Sequence, residues 1–343
     1  MFSLEVLQYI IYFVFIGAVI AYATLDGFDL GVGSLHLFAR TDQERRLMLN
    51  AIGPVWDGNA TWIVIGGGVL FAGFPKIFST IMPPLYTPVM LLIFAFMLRG
   101  AAVEFRSKQK APGWRRAWDF CFFFASILLA LVFGLMIGNL IDGLPLDAQG
   151  NIVGGTFGLV RPYPVLVMLF ALSLFMMHGS VYLLMKTEGA FYNRIRVWVK
   201  RLIVIFLVFW AAVTAATFVY VPHMTKPIIE RPLLGIFALL SFASICAIPH
   251  FVKKRFDGWA FIASCLSICL LLTLFVIGTF PYIVYSTIDP AVNSLTLFNG
   301  SASKLALTVL TIVALAGFPL TFFYFSYLYR VFHGKVRLDH MSY

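Results

Sequence analysis

The sequence predicts an all-α polytopic membrane protein, and three observations carry that prediction. Hydrophobic residues make up 61% of the 343 residues and charged residues only 12%, about half the share of a soluble domain. Mean hydropathy is +0.92. The apolar runs are roughly 20 residues long and do not alternate, which is the length of a bilayer-crossing helix and not the pattern of a barrel strand. Backbone in lipid must bond to itself, so helices are what remains.

Nine transmembrane helices are expected, at residues 6–36, 50–73, 77–104, 118–141, 162–186, 199–221, 232–250, 258–280 and 304–330. The first is longer than a bilayer needs, so it should tilt or project into water. No Lys or Arg precedes it, and Asp26 and Asp29 stand where a signal peptide would carry small residues, so it reads as a retained helix. The second opens with Gly53-Pro54-Val55-Trp56-Asp57-Gly58-Asn59, and the third ends near Arg99 and Glu104. The fourth and eighth each begin with an Asp beside Trp and Phe (Trp118-Asp119-Phe120; Asp257 to Phe261). That spacing suits a single membrane domain, 1–343, made of two four-helix bundles in parallel repeat, 1–141 and 162–280, with 304–330 as a peripheral helix. The links 142–161 and 281–303 are rich in Gly, Pro and Asn, and read as turn-rich excursions.

Loop charge supports the order of spans. Most of the 25 Lys and Arg follow spans one, three, five and seven or lie in the tail, among them Arg40, Arg45, Arg46, Arg106, Arg115, Arg194, Lys253 and Lys335. The opposite loops hold only Lys76, Arg161, Lys226, Arg231 and Lys304. The positive-inside rule then places the N-terminus outside and the C-terminus in the cytoplasm. The net charge of +10 is therefore topology signalling, and no nucleic-acid partner is expected. The four cysteines all lie in apolar spans without a CxxC pair, which supports neither a disulfide nor a metal framework. No Walker A, HExxH or nucleophile elbow occurs, so hydrolysis or group transfer by this chain alone is not expected.

Function should lie with the buried charges. A carboxylate or arginine at membrane depth costs roughly 2.5–3.5 kcal/mol on insertion scales. The order of spans brings Asp26, Asp29, Asp57, Arg99 and Glu104 toward the cytoplasmic side. Asp26 and Asp29 are three apart and share a helix face. One reading is structural: Asp29 or Asp57 pairs with Arg99 and holds three helices together, with Glu104 at the boundary. The other is a proton path in which one acid is tied to Arg99 and another is left to titrate. Trp56 and Trp62 are six apart, so one should pack in the bundle and the other face a neighbouring surface. His178 and His250 offer no facing pair for a haem iron.

At these residues the sequence resembles subunit II of the cytochrome bd-type quinol oxidases. LDGFDLGVG at 25–33, ERR at 44–46, GPVWDGNATW at 53–62, FRSK at 105–108, WRRAWDF at 114–120 and HGSVYLLMKTEG at 178–189 carry the likeness. The resemblance implies an oxidoreductase complex of the bacterial inner membrane that reduces dioxygen to water with electrons from a quinol. It implies proton motive force without pumping, and two b-type haems and one d-type haem held by the partner, subunit I. It leaves room for a small accessory subunit, contact with membrane lipid and a structural quinone whose residues are unassigned. It assigns Asp57, Asp29 and Asp26 to a proton path, Arg99 to their charge partner, and Trp62 to the neighbourhood of an oxygen tunnel at the subunit interface, with Trp56 a second interface candidate. The departure at Ala60-Thr61 bears on that tunnel. The rival class is a proton-coupled secondary transporter. Such proteins usually break helices at the midplane, whereas here the acids gather toward one side.

Overall fold

The computed structural model describes residues 2–338, apart from the side chains of 156 and 157. It is almost wholly helical. In order the helices are α1 (Leu4–Leu35), α2 (Asp42–Ile52), α3 (Trp56–Gly73), α4 (Pro75–Phe105), α5 (Pro112–Asp142) and α6 (Pro162–Lys186). Then come α7 (Gly189–Tyr220), α8 (Pro222–Glu230), α9 (Gly235–Lys254), α10 (Asp257–Thr279), α11 (Pro290–Asn293) and α12 (Lys304–Val331). The starts follow local chemistry. Ser3, Thr41 and Ser303 cap α1, α2 and α12 by accepting a backbone N–H three residues on. Proline opens α4, α5, α6 and α8, where its missing N–H costs nothing.

Eight of these helices, not nine, are long and apolar enough by themselves to cross a membrane: α1, α4, α5, α6, α7, α9, α10 and α12. The difference lies at the span expected at 50–73. The chain there is broken at Gly53-Pro54-Val55, which separates the amphipathic α2 from α3. α3 carries Asp57, Asn59 and a run of three glycines in only 18 residues, so its apolar content falls short. It nevertheless lies along α1, with α4 and α12 also in contact. Its first turn lies beside Tyr329 near the end of α12, and the Gly73 carbonyl accepts from Ala302 N just ahead of the start of α12. Other helices extend beyond the expected bounds: α5 starts at Pro112 instead of 118, and α7 at Gly189 instead of 199.

α1 runs through the middle, touching α3, α5, α6, α10 and α12. One buried cluster draws on both expected bundles, through Tyr22, Phe122, Phe175, Ile203 and Ile268 among others. A second gathers at the other end around Leu7, Ile11, Phe74, Leu146 and Leu297. That end is closed by the two long links, where Tyr282–Val284 pairs antiparallel with Leu295–Thr296 and Leu144 bridges to Ser286. The crossing of α1 and α6 is a backbone contact. A Cβ on Gly31 would lie 1.8 Å from the Phe175 carbonyl oxygen, and one on Gly179 2.5 Å from Val32 N. Small residues permit this approach, which holds membrane helices together in the absence of a hydrophobic drive. It fixes the stretch of α1 that bears Asp26 and Asp29.

Candidate functional site

Asp26 and Asp29 sit one turn apart on α1 and take different partners. Asp26 faces α4. Arg99 donates Nη1 to its Oδ2 at 3.0 Å and Nη2 to its Oδ1 at 2.7 Å, a two-pronged pair with both side chains buried. Asp29 faces α3. Asn59 Nδ2 donates to its Oδ2 at 2.8 Å, and Asn59 Oδ1 accepts from the Tyr329 hydroxyl at 2.9 Å. The other oxygen of Asp29, Oδ1, is buried and has no hydrogen-bond partner among the described residues. The expected pairing of Asp29 or Asp57 with Arg99 is therefore replaced by Asp26. Three steps of the α-helix turn Asp29 about 60° away from Asp26, enough to aim it at α3 instead of α4.

The remaining expected residues do not join this cluster. Asp57 stands exposed in the first turn of α3. Asn59 points inward to Asp29, and residues two apart on a helix face opposite ways. Glu104 is exposed near the end of α4. Trp56 packs over Gly100 of α4, where a Cβ would come within 3.3 Å of its ring. Trp62 stands between Phe318 and Phe325 of α12, with ring centres 6.0 and 5.9 Å away. Both tryptophans are thus packed within the chain. An apolar cavity of about 180 Å³ lies against Trp62, lined also by Ile11, Val69, Leu310 and Phe318.

A second cluster, at the end where the basic loops gather, escaped sequence reasoning. Asp119, at the start of α5, receives His36 Nε2 at 2.6 Å, Arg45 Nη1 at 2.9 Å and Arg106 Nε at 2.5 Å. Arg106 also donates to Asp42, which in turn holds Arg115, both at 2.8 Å. Arg194 of α7 reaches Glu44 of α2 at 2.7 Å. The sequence signal is an acid at a span start just after WRR at 114–116, which its shared position in two spans disguises as a repeat; ERR at 44–46 joins it only through folding.

His178 is buried on α6. Its Nε2 donates to the Thr24 carbonyl at 3.0 Å, and its Nδ1 faces the Ser264 hydroxyl at 2.8 Å. Both ring nitrogens are engaged, so neither is left for a haem iron. His250 is exposed. Among the described residues no group of three or more His, Cys, Asp or Glu is placed to hold a metal ion. Between α5, α6, α7 and α10 lies an apolar cavity of about 260 Å³ with Phe133, Val167, Trp210 and Phe275 in its walls. A paired hydroxyl, Tyr163 to Thr217 at 2.8 Å, stands at its edge.

Comparison with known proteins decides the family. Residues 7–332 match the family model for cytochrome bd terminal oxidase subunit II. The chain belongs to that family. Cytochrome bd ubiquinol oxidase subunit 2 of Bacillus subtilis is 31% identical over 314 residues, covering 91% of each chain. Cytochrome bd-I ubiquinol oxidase subunit 2 of Escherichia coli K12 is 28% identical, covering 98% of this chain and 97% of its own. A solved bd oxidase from Geobacillus thermodenitrificans has the same fold, with a TM-score of 0.78 at 17% identity over 95% of this chain and 98% of that one. This bd oxidase subunit II is accordingly a multi-pass protein of the bacterial inner membrane, part of a complex with subunit I.

Proposed function

We propose that this subunit II supports subunit I and supplies it with protons drawn from the cytoplasm through Asp29. The oxidase would use them to reduce dioxygen to water with quinol electrons, building proton motive force without pumping. The three haems would lie in subunit I. One observation carries the proton reading: two buried acids share one arginine. Asp26 is committed to Arg99 with both oxygens, while Asp29 has no cation of its own and one oxygen free to carry a proton.

The chain Tyr329–Asn59–Asp29 gives that proton an approach. Tyr329 lines a half-open cavity of about 340 Å³ at the basic end, together with Asn50, Tyr182 and Lys186. Charge bias in the loops supports a cytoplasmic basic end, with the N-terminus outside. In that arrangement α3 is the ninth crossing, held in lipid by its neighbours.

Asp57 belongs to a different surface. Asp57, Thr61, Val64, Gly68 and Phe71 repeat at helical spacing along α3, and all are exposed, Val64 at 70% and Phe71 at 61%. A bare stripe on a membrane helix, with an acid at one end, suits burial against subunit I. Asp57 would then meet the partner directly. The cavity beside Trp62 is apolar and suits dioxygen, because dry apolar voids take small apolar gases. The larger cavity beside Tyr163 has room for part of a quinone's isoprenoid tail.

The test is Asp29→Asn in the complex with subunit I. The visible haem spectrum should be retained while quinol-driven oxygen consumption falls about 100-fold, the low end of the weight of a lost proton-transfer group. Unchanged turnover in an intact complex removes the proton assignment. Loss of the haem bands makes Asp29 a structural residue instead.

A further inference from the structure

A short strap of chain follows α12 and lies against the last turn of α6. Val336 N donates to the Lys186 carbonyl at 2.8 Å, and Lys335 Nζ to the Leu184 carbonyl at 3.0 Å. Lys186 Nζ donates back to the Phe332 carbonyl at 2.6 Å. The strap, the end of α6 and the stretch from Asn50 to Val55 enclose the cavity of about 340 Å³. Its lining includes four basic side chains, Lys186, His333, Lys335 and Arg337, and no Asp or Glu among the described residues.

Lys186 makes this unusual. It is only 8% exposed. Its ammonium bonds a neutral carbonyl and lies 5.8 Å from the centre of the Tyr182 ring. No carboxylate among the described residues is within salt-bridge distance of it. A buried cation is costly unless an anion or hydrogen bonds offset it. The C-terminus of α6 supplies about half a negative charge, and Lys335 draws on the same carbonyls. Among the described residues the nearby acids are placed elsewhere: Asp257 accepts from the Tyr192 hydroxyl, and Glu188 is exposed beyond the turn. The cavity therefore holds an excess of positive charge among the described residues.

We propose that this cavity binds a phosphate-bearing anion, supplied either as the headgroup of an acidic phospholipid or as free phosphate. Lys186 closes a membrane span, which is the depth at which headgroups lie, and basic pockets between helices at that depth recognise phosphate. Arg337 contributes a planar fork suited to phosphate oxygens. The volume falls at the lower end of small-ligand sites. The inference stands on Lys186 and its surroundings and holds whether or not Asp29 carries protons.

The experiment uses the complex with subunit I, stripped of lipid and reconstituted in phosphatidylcholine nanodiscs. Two probes are titrated, inorganic phosphate in solution and phosphatidylglycerol in the disc, and apparent affinity is read from the shift in thermal midpoint. The parent should respond to at least one probe. Arg337→Gln should bind about fivefold more weakly, and Lys335→Gln with Arg337→Gln about 25-fold more weakly, following the weight of one basic side chain near a headgroup. Arg337 makes none of the three strap bonds described above, so its variant keeps the strap, and the haem spectrum checks that the complex is intact. A response to both probes supports the site with phosphate itself as ligand. A response to phosphatidylglycerol alone supports it with the lipid as source. No response to either probe, or an equal response in parent and double variant, overturns the proposal.

Discussion

One charged cluster lies in the last third of α1 and another just past its end, about 10–15 Å apart by helical rise, and they are finished differently. At the basic end Asp119 takes His36, Arg45 and Arg106 on its two oxygens, and Asp42 continues the chain to Arg115. Farther along, Asp26 takes Arg99 with both oxygens, while Asp29 receives one amide and keeps an oxygen unbonded. A saturated carboxylate fastens α2 and α5 to the turns that follow α1 and α4, and has little left to offer a proton. A half-satisfied one has both a reason to exist and spare capacity. Satisfaction of the acid, more than its depth, separates fastening from chemistry.

The strongest way to break the comparison is Arg99→Ala. Asp26 would then be a buried, unpaired charge, at about 3–5 kcal/mol, and the complex should fail to accumulate, read as lost haem absorbance in membranes. Replacing both partners, Asp26→Leu with Arg99→Leu, should recover accumulation. If Arg99→Ala alone accumulates normally, the pair is not a fastening. Next, Asp119→Asn should cost about 2–4 kcal/mol, because Arg106 and His36 lose their counter-charge. Its thermal midpoint should drop while turnover per intact complex stays at the parent level. A loss of turnover at full stability would erase the contrast between the two clusters.

Smaller effects sharpen it. Tyr329→Phe removes the hydroxyl that holds Asn59, worth about 1 kcal/mol, and should slow oxygen consumption a few-fold by interrupting the approach to Asp29. Turnover equal to the parent would show that protons reach Asp29 another way. Asp57→Asn should leave the stability of this chain within about 0.5 kcal/mol, as expected for an exposed position. Any change in turnover it causes then reports on contact with subunit I.

The sequence reveals much of this fold because lipid leaves so few options. Long apolar runs could only be helices, and eight of the nine expected spans recur close to their predicted bounds. α3 is the exception for a physical reason: an acid, an amide and three glycines dilute its apolar content, and the break at Gly53–Val55 detaches α2. The gathering of Asp26, Asp29 and Arg99 was legible from alternating helix direction. Which acid meets the arginine was not, since a fraction of a turn decides it. Asp57 stands exposed in the first turn of α3, a facing that span order alone does not fix. Asn59 was overlooked beside its acidic neighbour, and nothing local in α12 marks Tyr329, 270 residues farther along, as its partner. Asp119 reads in the sequence as a repeat marker, and only folding brings His36 to it.

That long separation has a consequence for how the protein is made. Asn59 receives its tyrosine from the final long helix. Until the ribosome has delivered Tyr329, the Asn59 side chain lacks the hydroxyl that completes its bonding. α3, made early, is therefore among the last elements to be locked in place, and a nascent chain cut short before α12 would leave Asn59 without its tyrosine.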